Sequence, residues 1–478
     1  MRKPKDMSPD VRIPISEKLA YSVGGQGAAM YNGIVSAFLL VYYTNVVGIG
    51  AGSVATIMGI SKVLDGLSDL AAGYLIDRTH TKWGKCRPWL LRMILPMVIC
   101  MFLLLNVPTG FPDMAKLVYI FVTYNLVSTV CATMMGVAHS ALNGCMTINQ
   151  KDRGINGGFI MLFGIVTGLV QNSTVLQICS AAGGGDPYTQ RGWNAMLVIY
   201  SVVFILLTLY GFFFTRERVT LATWNQQKEA REHTTDKSKK YEEVKVLEAL
   251  KILIHDKYWV IFVVTMICVL YMQTSNGMAN IYFAQYVLDD VFLYTPLANC
   301  TNIGALAGAV ATLVLMTKFK KKNICITGIA LVSIGSVLPA ISQTMAVLYA
   351  ASILKGVGAG IAGCVLPGML QDSITYAQWK SGRDVLGMGN AAYSFTNKLG
   401  GSGGTIIFGW ILEFSGFNGM LDVQPAGAVT AINALYIWIP FLTMVLAFVC
   451  MWFYDLDNKY DKIAADMKER MGFTEDNK

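Results

Sequence analysis

The sequence predicts an all-α membrane protein of twelve transmembrane helices, arranged as two six-helix bundles, and three observations predict it. Charged residues make up 14% of the 478 residues and hydrophobic ones 54%; a soluble chain carries about 25% charge, so too little polar side chain exists to face several globular domains toward water. The apolar excess needs lipid. Runs long enough to cross hydrocarbon, about 20 residues, recur near 20–47, 52–76, 89–108, 116–143, 155–181, 194–215, 258–286, 294–317, 323–343, 345–371, 386–413 and 430–454. Between the sixth and seventh lies the longest polar interruption, which contains Lys237-Ser238-Lys239-Lys240.

These runs define a tail (1–19), a first bundle (20–215), a linker (216–257), a second bundle (258–454) and a C-terminal tail (455–478). Lysine and arginine concentrate in the two tails and the even-numbered loops, with Lys116 and Arg191 on the other side and Lys62, Lys355 and Lys398 inside spans. Positive loops stay cytoplasmic, so the chain reads as a multi-pass plasma-membrane protein with both termini in the cytoplasm. The net charge of +8 then belongs to the face that meets anionic headgroups, and no nucleic-acid partner is expected. The basic N-terminus leads into an apolar stretch too long for a cleaved leader and reads as a retained helix. The charged segment after Asp455 reads as a solvated amphipathic helix.

Ten cysteines show no C-x-x-C or Cys/His ligand spacing, and those within apolar runs read as small buried hydrophobes, with no metal cluster or disulfide framework. Glycines at 157–158, 356, 358, 360, 400–401 and 403–404 lie in spans, where small residues let helices approach closely.

Ionisable residues inside a span are functional candidates by default. Span two carries Lys62, Asp65, Ser68 and Asp69 at helical spacing, which sets Lys62, Asp65 and Asp69 on one face. Two carboxylates one turn apart repel unless a cation or a proton lies between them. A structural Lys62–Asp65 pair is the plainer alternative, but it leaves Asp69 unexplained. Lys398 in span eleven reads as a counter-charge to the empty pair, while Lys355 and Asp372 in span ten read as groups near the interface. Asp-x-x-x-Asp also occurs in intramembrane prenyltransferases, where it holds magnesium and diphosphate, but no second span has such a pair, so the chain is not expected to be an enzyme. The loop after span two, with Asp77, Arg78, Lys82, Lys85 and Arg87, is a compact charge cluster able to pair with neighbouring helix ends in one state and release them in another, a gate latch.

The stretch Gly73-Tyr-Leu-Ile-Asp77-Arg78-Thr79-His-Thr-Lys82-Trp83-Gly84-Lys85-Cys-Arg87-Pro88-Trp89 resembles the cytoplasmic signature of the major facilitator superfamily in the form carried by the glycoside–pentoside–hexuronide cation symporters, the family of melibiose permease. The likeness extends over Tyr42-Tyr43-Thr44-Asn45-Val46-Val47-Gly48, Asp65-Gly-Leu-Ser-Asp69, Tyr376-Ala-Gln-Trp379-Lys380-Ser-Gly-Arg383 and Asn397-Lys398-Leu-Gly400-Gly401. It implies a major-facilitator fold and cation-coupled symport of a sugar or glycoside by alternating access. It also implies that Asp65 and Asp69 are cation-site acids, with Ser68 in the place of an asparagine, Thr133 in that of a threonine ligand, and Lys398 as the lysine facing the site. Sodium could sit at Asp65 and Asp69, or a proton on one of them; no other cofactor is implied.

The substrate side departs from the family pattern. Ala29 and Gly136 stand where galactoside carriers have acids, and a glycine near Gly157 replaces an arginine. A cavity of neutral polar and aromatic groups would then receive the small-molecule substrate: Gln26, Tyr31 and Asn32 in span one, His139 and Asn143 in span four, Gln273 and Asn276 in span seven, Tyr393 and Asn397 in span eleven. Each could instead be a satisfied interhelical hydrogen bond. His139 is also a candidate for binding an acidic or neutral sugar or taking part in proton movement. The expected partners are this substrate, a monovalent cation and the bilayer, with the chain a monomer. The missing acids leave a uniporter or a carrier of amphiphiles such as lysolipids as the alternative, and a non-transporting sensor as a remoter one.

Overall fold

A computed structural model describes residues 12–79, 81–108, 110–147, 150–218, 246–383, 385–421, 423–460, 462–463 and 466. The basic run 237–240 and most of both tails lie outside the described residues. All twelve expected runs are helical: Ile15–Ala37 continued by Leu39–Asn45, Ala51–Asp77, Arg87–Arg92 with Ile94–Leu104, Asp113–Asn125 running through Leu126–Ala132 to Thr133–Met146, Gln150–Gly183, Gln190–Phe214, Lys257–Tyr286, Tyr294–Leu315, Lys321–Ile341, Met345–Ser381, Leu386–Phe414, and Ala426–Asn433 running through Ala434–Trp438 to Ile439–Trp452. A further helix, Val246–Ile254, forms inside the segment expected as linker. Among the described residues nine helical segments are long and apolar enough to cross a membrane. The three runs outside that set are spans one, two and eleven, which carry Gln26 and Asn32, the Lys62/Asp65/Asp69 face, and Asn397 with Lys398.

Span six illustrates why lipid is the solvent. Leu197, Tyr200 and Phe204 are buried, whereas Val198, Val202 and Leu206, recurring every fourth residue, are each more than half exposed. An apolar stripe turned outward is an aggregation surface in water and an ordinary surface in hydrocarbon.

The chain divides into two compact units. Unit 1 comprises 1–235, 284–295 and 406–429, and unit 2 comprises 236–283, 296–405 and 430–478. Within unit 1, span one packs on spans five and six, and span two packs on span four. Spans one and six meet backbone to backbone: a Cβ on Gly24 would lie 2.6 Å from the Cα of Gly211.

Unit 2 repeats the device more densely. Span ten places Gly356 and Gly360 against span eight, where a Cβ on either would stand 2.1 Å from the carbonyl oxygen of Thr301 or Ala305, and Gly358 against span nine, 2.3 Å from the Gly328 carbonyl. From the other side, a Cβ on Gly308 of span eight would stand 2.1 Å from the Val357 carbonyl. The nearest atoms to each added Cβ are backbone carbonyls of the facing helix, so a methyl group has nowhere to go.

The core of unit 2 continues past span twelve, since Tyr454, Leu456 and Ile463 join Tyr258, Phe262, Ile374 and Met451. The start of the C-terminal tail is therefore packed rather than solvated. Apolar side chains at 456 and 463 fasten it, and charge pairs follow: Asp455 accepts from Tyr258 Oη at 2.5 Å and from Lys459 Nζ at 2.9 Å. These donors hold the Asp455 carboxyl well below the usual carboxylate range. At the start of span seven, Asp256 Oδ1 caps the helix by accepting from Tyr258 N at 3.1 Å. Its Oδ2 is buried with no hydrogen-bond partner, and burial pushes its carboxyl up to about 6.

Replacing Gly308 by alanine should cost about 1–3 kcal/mol by overpacking, read as a lowered thermal midpoint in detergent. Gly363→Ala, where an added Cβ meets nothing within 4 Å, should hold or raise it. The Asp256 shift has a definite sign. The folded chain retains a proton that the unfolded chain has lost between pH 3.8 and about 6, so stability falls across that window and stays lower above it. Asp256→Asn keeps the capping oxygen without the charge, and its stability relative to the parent should rise over the same window and then level off, as measured by thermal unfolding at a series of pH values.

Candidate functional site

The most concentrated polar site inside the spans of unit 1 forms where span two meets an irregular turn of span four. Leu126–Ala132 is wound as a π-helix between two α-helical stretches, and such turns are rare and often mark functional positions. Around it, Ser128 Oγ donates to Asp65 Oδ2 at 2.8 Å and Thr129 Oγ1 to Asp65 Oδ1 at 2.6 Å. Thr129 has a single proton and Asn125 Oδ1 also lies 3.0 Å away; the charged acceptor is the stronger one. Asn125 in turn donates to Ser61 Oγ at 2.9 Å. Thr133 Oγ1 donates to the Ser128 carbonyl, five residues back, at 3.2 Å, beside the Thr133 backbone N–H that bonds the same oxygen. Ser68 Oγ lies 3.0 Å from the Asp65 carbonyl and 3.3 Å from Thr133 Oγ1.

Asp65, Ser68 and Thr133 are thus brought together. Ser61, Asn125, Ser128 and Thr129 join them and were missed in the sequence, where the only signal was a run of small hydroxyls and an amide in an otherwise apolar helix. The hydroxyl oxygens of Ser128 and Thr129 suit a proton or a hard cation rather than a soft metal, and the Lys62 side chain one turn before interacts electrostatically with Asp65, in line with the plainer Lys62–Asp65 pairing. Asp69, one turn beyond Asp65, and Lys62, one turn before it, are both half-buried. Lys398 lies half-buried in unit 2, its carbonyl accepting from Ser402 Oγ at 2.6 Å.

The substrate candidates separate by exposure. Gln26 is tied to span five, donating to the Ile160 carbonyl at 3.4 Å and accepting from Thr167 at 3.2 Å. Tyr31 is fully buried against Ser201 of span six, oxygens 2.8 Å apart. His139 stacks on Tyr21, ring centroids 4.3 Å apart, with Nε2 2.9 Å from the Tyr21 carbonyl. Asn143 accepts from Asn156 at 2.8 Å. These four bind span to span. Asn32 and Gln273, by contrast, are exposed, Tyr393 and Asn397 are half-buried, and Asn276 is buried. An added Cβ at Gly136, Gly157 or Gly158 would meet nothing within 4 Å.

One intramembrane charge differs from the interfacial reading: Lys355 is 1% exposed, its ammonium 4.0 Å from the centre of the Tyr436 ring. Asp372 is paired at 2.5 Å with the partly exposed Lys321 at the first residue of span nine, as a paired charge near the interface would be.

The loop after span two is held by a residue the sequence did not single out. Glu217 accepts from the backbone N–H groups of Lys85, Cys86 and Arg87 at 2.9, 2.9 and 2.8 Å. Gly84, at φ +104°, makes room for it, since a Cβ there would stand 2.2 Å from the Glu217 carboxyl carbon. Arg87 donates to the Phe212 carbonyl and lies over the Phe212 ring. Asp77 pairs with Lys85 at 2.7 Å, Arg78 covers the Tyr74 ring, and Lys82 is exposed. Nearby, Arg218 makes a bidentate pair with Glu17, at 2.8 and 2.7 Å and almost wholly buried, and Lys18 pairs with Asp152 at 2.6 Å. Glu17 also accepts from Arg216 N at 2.9 Å, so the first turn of span one is bound to the exit of span six.

Removing one member of the buried Glu17–Arg218 pair leaves a charge without its partner. Glu17→Ala should cost about 3–5 kcal/mol, and the double variant Glu17→Met/Arg218→Met should recover most of that loss, as read from the thermal midpoints of the two proteins in detergent.

The family model described as "MFS/sugar transport protein" matches residues 20–458. The isoprimeverose transporter of Lactiplantibacillus pentosus is 27% identical over 96% of this chain and 92% of its own length. The glucuronide carrier protein homolog of Escherichia coli (strain K12) is 25% identical over 95% of each chain. In three dimensions the chain is similar to the crystal structure of a D-xylose-proton symporter, with a TM-score of 0.65 at 15% identity, covering 93% of this chain and 99% of that one; at that identity the likeness speaks for the fold. With twelve helical runs in the expected places and a family match spanning nearly all of them, the chain is a multi-pass membrane protein that belongs to the MFS/sugar transport family of the major facilitator superfamily.

Proposed function

We propose that this chain is a secondary active transporter that couples the movement of a monovalent cation to symport of a sugar or glycoside by alternating access, without chemical conversion of its substrate. The observation that carries the reading is Asp65: an acid within an apolar helix, enclosed by hydroxyls from a π-turn of the neighbouring span. An ionised carboxylate in a membrane needs such donors, and a cation entering between Asp65 and Asp69 would turn the hydroxyl lone pairs toward itself and neutralise the pair. Lys398 would act as counter-charge in the empty state. The loop 77–87 would serve as the gate latch, released when Glu217 leaves its three amides. The protein would lie in the plasma membrane with both termini cytoplasmic, as two bundles over 20–215 and 258–454.

The names of the relatives, an isoprimeverose transporter and a glucuronide carrier homolog, support a glycoside, pentoside or hexuronide. The exposed amides of Asn32 and Gln273 support it as well, because an amide turned to lipid loses its hydrogen bonds whereas one turned to a water-filled cavity keeps them. The open space above Gly136, Gly157 and Gly158 supports a substrate held by its faces and hydroxyl edges rather than by an acid. Those same glycines are what favours a second reading, a uniporter or amphiphile carrier.

Reconstituted vesicles test both. Asp65→Asn and Asp69→Asn should each reduce gradient-driven accumulation of sugar by on the order of tenfold or more, the scale of a coupling free energy of 1–3 kcal/mol, while equilibrating exchange persists. Comparing an imposed sodium gradient with an imposed proton gradient identifies the coupling ion. Undiminished accumulation in both variants removes the cation-site assignment, and a parent protein that equilibrates substrate but never concentrates it under either gradient is a uniporter.

A further inference from the structure

At the latch lie two thiols that the transport reading does not use, beside the Glu217 carboxylate that holds the loop. Cys86 immediately precedes the helix Arg87–Arg92, and Cys145 is in the last turn of Thr133–Met146. Their sulfurs are 3.7 Å apart, both residues are buried, and a carboxylate oxygen of Glu217 lies within 4.8 Å of both sulfurs. The residues come from three separate segments of unit 1: the loop after span two, the end of span four and the exit of span six.

We propose that Cys86, Cys145 and Glu217 form a binding site for one zinc ion. Two thiolates bound tetrahedrally at about 2.3 Å have sulfurs about 3.8 Å apart, close to the spacing already present, so both sulfurs can engage one ion with little movement. Glu217 is oriented in advance: the N–H groups of residues 85–87 hold its two oxygens and use three of about four lone-pair sites, which leaves one directed elsewhere. Outer contacts of this kind fix a ligand's aim and strengthen a site. Three protein ligands leave a fourth position open. The donor set, two sulfurs and one oxygen, selects a thiophilic d10 cation over sodium or magnesium, which prefer oxygen alone.

Binding is an exchange of protons for metal. The two thiols release two protons to solvent as two zinc–sulfur bonds and one zinc–oxygen bond form, and no electron moves. The half-buried Glu217 side supplies the way in, since the sulfurs themselves are covered. An ion there ties the latch loop to spans four and six and so strengthens the arrangement seen at this end of unit 1. The assignment stands independently of the Asp65 reading.

The test uses the full-length, untagged protein in detergent after treatment with chelator. Equilibrium dialysis against zinc in excess magnesium should leave one zinc per chain, with a raised thermal midpoint. Cys86→Ser/Cys145→Ser should retain none, and each single serine variant should bind at least tenfold more weakly. Titration of the unmodified chain with cadmium should give a thiolate-to-cadmium charge-transfer band that saturates at one ion per chain and, in Cys145→Ser, is about half as intense and needs at least tenfold more cadmium, a readout available even if the double variant fails to fold. Equal zinc retention by the parent and the double variant, or a cadmium titration without that band, overturns the site.

Discussion

An ionised carboxylate in hydrocarbon must be met by donors from its own protein, because no water is there to supply them. Asp65 meets that constraint with donors from the stretch of span four wound as a π-helix, Leu126–Ala132. The wide turn brings the hydroxyls of Ser128 and Thr129 to the two carboxylate oxygens at once, and Thr133 Oγ1 bonds the Ser128 carbonyl. The irregular backbone, the charge and the packing of span two on span four are one arrangement.

The same solvent explains how the rest holds together. Helices in lipid gain little from burying apolar side chains against one another, since the tails outside are equally apolar, and association depends on close backbone contact and on internal polar bonds. Both are present. Gly24 meets Gly211, and span ten meets spans eight and nine through Gly356, Gly360 and Gly358. At the ends of the spans, where water competes, binding passes to buried ion pairs such as Glu17–Arg218 and Lys18–Asp152. Such pairs contribute specificity more than net stability, because desolvating both charges offsets most of their attraction. A device of that kind suits the gating proposed for the loop 77–87, and the Glu217 cradle around residues 85–87 has the same character.

The helices and the charged face of span two were legible in the sequence because both are local. A run of apolar residues is a span wherever it occurs, and Asp65 and Asp69 share a face through helical spacing alone. The packed start of the C-terminal tail was not legible: Leu456 and Ile463 are two apolar residues in a charged segment, and only the core they join distinguishes them from surface residues. Nor was the division among the polar candidates. Gln26, Tyr31, His139 and Asn143 look in sequence just like Asn32 and Gln273, yet the first four are bonded across helices and the last two are exposed.

By itself the sequence determined the solvent, the place and order of the twelve long apolar runs, and which acids would need an explanation, since composition and periodicity are properties of the chain alone. Only the tertiary structure decided what answers those acids. The hydroxyls at Asp65 lie more than sixty residues away, and the amides at Glu217 about 130. The pairing of Cys86 with Cys145 exists only once the loop after span two, the end of span four and the exit of span six converge. A hydrogen bond or a ligand set depends on distances of about 3 Å, and no spacing along the chain encodes such a distance between segments that meet only by folding.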